Sequence, residues 1–161
     1  MNYFILNFEF LLICLKYFLF CSGLFIIFIT DLKQKIIPDL ISIPLIFIGL
    51  ILNLCIAFNL SALLNYSFAA IIGYLIIFSL NLVCKLYYKK DAIGLGDAKL
   101  LALIGAFTGL KAMLFTIYLS FILGGLIGLG LIVLKINKKT DYLPFGPIII
   151  VGLILYWMVF R

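Results

Sequence analysis

The chain has 161 residues, 67% of them hydrophobic and 11% charged, with a net charge of +6 and a mean hydropathy of +1.37. A soluble domain is usually about 45–50% apolar and could not hide that much apolar surface, so the composition excludes one and points to an integral membrane protein built almost wholly of spanning helices. Histidine is absent, which excludes the common zinc-protease helix and any Ser-His or Cys-His catalytic pair and leaves acid–base work to carboxylates, lysines or tyrosines.

The expected fold is all-α: a polytopic bundle of about six transmembrane helices in one domain over residues 1–161. The opening MNYFILNFEF has no basic n-region, and the apolar run after it reaches Thr30. That is too long for a signal peptide and long enough to span, so it reads as a retained helix over residues 4–30, with Glu9 and Lys16 toward its outer half. The second span is read at 39–58, the third at 62–87, the fourth at 98–109, the fifth at 112–134 and the sixth at 147–160. The fourth is short. At 1.5 Å per residue it covers only ~18 Å of a ~30 Å hydrocarbon layer, so it needs to start inside the membrane or be shielded by neighbours. Gly124 and Gly128 in the fifth span make a GxxxG spacing, which reads as internal helix packing rather than a dimer face. Cys14, Cys21, Cys55 and Cys84 form no CxxC and sit in apolar runs, where they are expected to act as small buried hydrophobes.

Loop charge gives the orientation. Lys33 and Lys35 follow the first span, Lys85, Lys89, Lys90 and Lys99 surround the third-to-fourth connection, and Lys135, Lys138 and Lys139 follow the fifth. The opposite side offers Lys111 and Arg161. By the positive-inside rule the lysine-rich face is cytoplasmic and both termini are outside. The basic balance is an anchoring bias for the lipid bilayer and not a nucleic-acid surface, which these short loops could not build.

Against that background the acids are the informative residues: Glu9, Asp31, Asp39, Asp91, Asp97 and Asp141. Asp31 closes the first span and Asp97 opens the fourth, on the same face. An aspartate at mid-membrane costs ~2.5–3.5 kcal/mol on insertion scales, and such groups usually face a cavity or each other. Each also has a plain reading: Asp31 can pair with Lys35 one turn on, and Asp97 can cap the fourth helix. Together, and with their local sequence, they suggest more. Gly94 and Gly96 remove two β-carbons beside Asp97, so another backbone or a peptide can approach. Pro38 offers the second span a preferred N1 residue. Two carboxyl groups within a few ångströms do not both ionise easily and hold one proton between them. One can take a proton from water while the other polarises a peptide carbonyl, with no metal and no cofactor.

The D-x6-P-D run from Asp31 to Asp39, the GxGD-x-K-L run from Gly94 to Leu100 and the late LPFGP run from Leu143 to Pro147 resemble the type IV prepilin peptidases, membrane aspartic endopeptidases with a GxGD motif. The resemblance covers about residues 20–160. It implies a catalytic pair of Asp31 and Asp97, with Asp39 as structural support after Pro38, and Gly94, Gly96, Lys99, Pro144, Gly146 and Pro147 as motif residues. It further implies cleavage of a short basic leader from prepilins or pseudopilins at the cytoplasmic face of the bacterial cytoplasmic membrane, in service of type IV pilus or type II secretion machinery. Longer family members carry CxxC pairs in an N-terminal methyltransferase segment. This chain has no CxxC, so the expectation is a peptidase-only short form without N-methyltransferase activity. The competing readings are a cation- or proton-coupled transporter, since intramembrane acids also mark such pathways, and a non-catalytic paralogue in pilus or secretion assembly. The sequence sets no oligomeric state.

Overall fold

The computed structural model describes residues 2–88, 94–134 and 144–160. Asp91, Asp141, Leu143 and Lys89, Lys90, Lys135, Lys138 and Lys139 lie outside them. Five helices follow in order: α1 (Asn2–Gln34), α2 (Asp39–Ala57), α3 (Leu60–Tyr88), α4 (Leu95–Val133) and α5 (Gly146–Phe160). The described residues form no strand. Stretches of α1 to α4 are long and apolar enough to cross a membrane, and α5 is a shorter apolar helix of 15 residues. The surface is correspondingly apolar: Leu40, Phe58, Met158 and Leu86 stand exposed, as they would against lipid.

The helix ends follow from local chemistry. Lys35 takes a left-handed φ of 55° and its N–H bonds the Asp31 carbonyl at 2.9 Å, closing α1 with an αL motif. Pro38 sits one position before the expected N1: it is the N-cap of α2, extended at φ −72° and ψ 124°, and Asp39 is the first helical residue. The Pro38 carbonyl accepts the N–H groups of Ile41 and Ser42, so the ring supplies a pre-set φ outside the helix rather than within it. Asn59 precedes α3 and caps its start, its Oδ1 accepting the Ser61 N–H at 3.0 Å.

The expected fourth and fifth spans are joined in α4. Gly109 interrupts it with φ 82° and ψ 178°, a conformation that is essentially glycine-only, and divides it into two helical halves. The contacts order the halves in opposite senses. Asp97 begins the first half beside Asp31, and Phe107 ends it stacked on Phe20, 4.7 Å between ring centroids. Phe20 also meets Trp157 at 5.9 Å, near the end of α5. In the second half, Thr116 and Ser120 lie against Gly152, whereas Gly124 lies against Phe145 and Ile148 at the start of α5.

The first half of α4 is the centre of the molecule. Ala98, Leu100, Leu101, Leu103, Ile104 and Ala106 are fully or almost fully buried. Backbones meet there: a Cβ on Gly105 would stand 2.5 Å from the Ala69 carbonyl oxygen, and one on Gly73 2.9 Å from that of Leu101. Small residues at those points let α3 and α4 approach closely. The Gly124–Gly128 spacing does not work as a unit. Gly124 packs on the Phe145 ring, but a Cβ on Gly128 would meet nothing within 4 Å.

Candidate active site

Asp31 lies in the last turn of α1 and Asp97 in the first turn of α4. They are 5% and 4% exposed, so both carboxyl groups are withdrawn from the surface although each sits at a helix end. They line one cleft of about 190 Å³ together with Lys35, Ile36, Ile37, Asp39, Gly94, Gly96 and Lys99. A larger hollow of about 450 Å³ is lined by Tyr17, Phe107, Thr108, Ala112, Tyr156, Trp157 and Phe160. Its lining carries no carboxyl group, so size alone does not pick out the chemistry.

Three helix starts converge on the Asp31 end of α1. The α5 start brings the Gly146 N–H to Asp31 Oδ2 at 3.1 Å, a buried hydrogen bond that fixes the carboxyl group from a residue distant in the chain. A Cβ on Gly146 would come within 2.6 Å of that same oxygen, so glycine is the residue that lets the backbone reach it. Pro147 follows in the first turn of α5 and is buried; it has no N–H to leave unpaired there. Pro144 precedes the helix and is half-buried.

The α4 start places Asp97 as the third helical residue after Gly94, not as the cap. Its N–H bonds the Gly94 carbonyl at 3.1 Å in a tight first turn. Gly96 has a packing reason of its own: a Cβ there would sit 3.0 Å from Ile37 Cβ. The loop between α1 and α2 thus lies directly on the GxGD backbone.

The α2 start contributes Asp39. Its Oδ1 takes an ion pair from Lys99 Nζ at 2.5 Å, the two side chains being 58% and 25% exposed. A pair this open contributes about 0–1 kcal/mol. Its effect is geometric: Lys99 is two residues past Asp97, so the pair ties the entry of α2 to the turn that carries Asp97. The sequence left the role of Lys99 open. Lys35 was read only as a possible partner of Asp31, and Ile36 and Ile37 were missed; the available signal was their place between Asp31 and Pro38, where any wall of the cleft has to pass.

A buried pair of carboxyl-bearing helix ends, held by a backbone amide on one side and an ion pair on the other, has the components of an aspartic acid–base site in a helical membrane protein. The chain belongs to the type IV leader peptidase family, whose model matches residues 18–129 and so takes in Asp31, Asp39, Gly94, Gly96, Asp97 and Lys99. Among curated relatives, the prepilin leader peptidase/N-methyltransferase of Aeromonas hydrophila is 38% identical over 117 residues, 73% of this chain and 40% of that protein. The protein of the same name from Pseudomonas aeruginosa is 36% identical over 126 residues, 78% of this chain and 42% of its own. That of Burkholderia pseudomallei is 31% identical over 132 residues, 82% of this chain and 42% of its own. The chain therefore matches about two-fifths of the length of these relatives. No solved structure matches it.

Proposed function

We propose that this chain is an aspartic endopeptidase of the cytoplasmic membrane that removes the short basic leader of type IV prepilins or pseudopilins at the cytoplasmic face. The observation that carries the reading is the single cleft lined by Asp31 and Asp97, which come from helices far apart in the chain. Family membership and the printed activity of the relatives support the choice of substrate.

In the proposed mechanism one carboxyl group is ionised and takes a proton from a water molecule. The other is protonated and donates a hydrogen bond to the scissile carbonyl. Water adds to the carbonyl carbon to give a tetrahedral intermediate. Its collapse breaks the C–N bond as a proton passes from the newly protonated carboxyl group to the leaving amine. The Gly146 amide keeps Asp31 in place throughout, and the Lys99–Asp39 pair keeps the turn that carries Asp97.

The proposed topology has six crossings, both termini outside and the cleft at the cytoplasmic face. An apolar stretch of 37 residues in α4 would be about 55 Å long if straight, nearly twice the hydrocarbon layer. The glycine-only conformation at Gly109 and the opposed contacts of the two halves support a fold-back into two crossings. The lysine bias supports a cytoplasmic position for the helix ends at Asp31 and Asp97.

The test is co-expression with a tagged prepilin, with leader removal followed by gel shift and N-terminal sequencing. Wild type is expected to cleave. Asp31→Asn and Asp97→Asn are each expected to abolish cleavage at unchanged membrane levels. Cleavage retained in both variants overturns the assignment.

A further inference from the structure

A second polar cluster lies at the other end of the same helices. Lys16 of α1 is 9% exposed within an apolar span, and its Nζ donates to Asn53 Oδ1 of α2 at 2.8 Å. The same nitrogen lies 5.6 Å from the Tyr17 ring centroid and 5.3 Å from that of Tyr66 in α3, within cation–π range. Among the described residues no carboxyl group pairs with Lys16. An ionisable group at such a position is costly and needs a reason.

Asn53 supplies one. Its Nδ2 donates twice, to Gly49 O of its own helix at 2.9 Å and to Ala106 O of α4 at 2.8 Å. In an unbroken helix Ala106 O would accept the Leu110 N–H. Both torsions of Gly109 lie between those groups, and at φ 82° and ψ 178° that regular bond cannot form. The break therefore removes the regular i+4 partner of a buried carbonyl, and the Asn53 amide donates to that oxygen. Thr108 supports the same turn, its hydroxyl donating to Ile104 O at 2.7 Å. Lys16 bonds Asn53 Oδ1 and so fixes which way the amide faces. Tyr66 closes the circuit: its ring lies under Lys16 and also 3.3 Å from where a Gly109 Cβ would stand.

We propose that Lys16 and Asn53 are positioning residues for the cleft: they cap the broken end of the first half of α4 and fix the height and rotation at which that half presents Asp97 to Asp31. The connection is mechanical. Asp97 and Ala106 belong to one uninterrupted helical half about 14 Å apart along its axis, and Lys16 and Asp31 to one helix about 22 Å apart. The two helices that carry the carboxyl groups are thus joined at the end remote from the cleft through Lys16 and Asn53. At the cleft itself, the Gly146 bond and the Lys99–Asp39 pair do the holding. A joint at one end alone would leave each helix free to rotate about its axis. The proposal rests on the peptidase reading for its consequence in rate but not for its geometry.

The test separates the two. Cys14 and Cys21, which are exposed and not buried as expected, and the half-buried Cys55 and Cys84 are first replaced by alanine in the full chain. Asp31→Cys and Asp97→Cys are then introduced, and their oxidative cross-linking is timed by loss of maleimide labelling. This reads the approach of the two positions whether or not the chain cleaves anything. Two variants are compared with that parent. Lys16→Met/Asn53→Leu removes the joint without leaving a lone buried amine. Asn53→Asp keeps the size and a partner for Lys16 but removes the donor to Ala106 O. The proposal expects cross-linking to slow at least about 5-fold in one or both, at a melting temperature matching the parent. With the carboxyl groups restored, kcat for leader removal is expected to fall about 10- to 100-fold with KM unchanged, the scale of a small misplacement of a reacting group. Cross-linking at the parent rate in both variants overturns the proposal. Slowed cross-linking in a chain whose wild type cleaves no prepilin keeps this joint and removes the peptidase.

Discussion

The half of α4 that carries Asp97 and the far end of the other half share one apolar composition but not one environment. In the first, Ala98, Leu100, Leu101, Leu103 and Ile104 are buried, and Gly105 touches the backbone of α3. In the second half, Met113, Thr116, Ile117 and Ser120 are still buried, and only past Gly124 do Leu126, Leu129 and Val133 stand exposed, where a Cβ on Gly125, Gly128 or Gly130 would meet nothing within 4 Å. Hydrophobicity does not distinguish them, because in a membrane a leucine is equally at home against protein or lipid. What differs is backbone approach, which in the second half is confined to Gly152, where a Cβ would stand 3.0 Å from the Thr116 carbonyl oxygen, and is found at no glycine past Gly124. The half that carries Asp97 is packed at contact distance on its neighbours, and packing of that kind can hold a carboxyl group in register.

This contrast can be broken by single glycine substitutions. The largest effect is expected for Gly105→Val. The side chain would collide with the Ala69 carbonyl and push the α3 and α4 backbones away from each other, so a loss of about 3 kcal/mol or failure to accumulate in the membrane is expected in thermal unfolding and immunoblot assays. Gly109→Ala comes next. Its conformation is closed to side chains at a cost of about 1–3 kcal/mol, and leader removal is expected to fall with stability because the Asn53 cap would lose its turn. Lys99→Met removes an open ion pair, and its effect on melting is expected to stay below about 1 kcal/mol. Gly128→Leu closes the series with a change within about 0.5 kcal/mol. A large loss at Gly128 with none at Gly105 would reverse the contrast.

Some of this was readable from residues alone. Asp31 and Asp97 stood out because acids are scarce in so apolar a chain, and Gly146 because it recurs in a motif. A boundary near Gly109 was expected between the spans read at 98–109 and 112–134, and Gly109 is where α4 breaks. Other features depend on partners that sequence does not pair. Gly73 and Gly105 look no different from Gly128 until α3 and α4 are packed, so the GxxxG spacing drew attention to the wrong pair. Lys16 was placed only toward the outer half of the first span, because Asn53 lies in another helix and the Ala106 carbonyl it serves loses its regular partner through a backbone torsion. Pro38 is the N-cap rather than N1, because α2 starts at Asp39, where the second span is read to begin.

The central claim is that Asp31 and Asp97 act as one unit, and the direct measurement is the rate of leader removal by purified Asp31→Asn, Asp97→Asn and the double variant in bilayers, against wild type. Each single variant is expected to fall by at least about 1,000-fold, with the double variant no slower than the slower single, as for groups that work together. Losses that multiply in the double variant, or a single variant that still cleaves at a rate close to wild type, would contradict it.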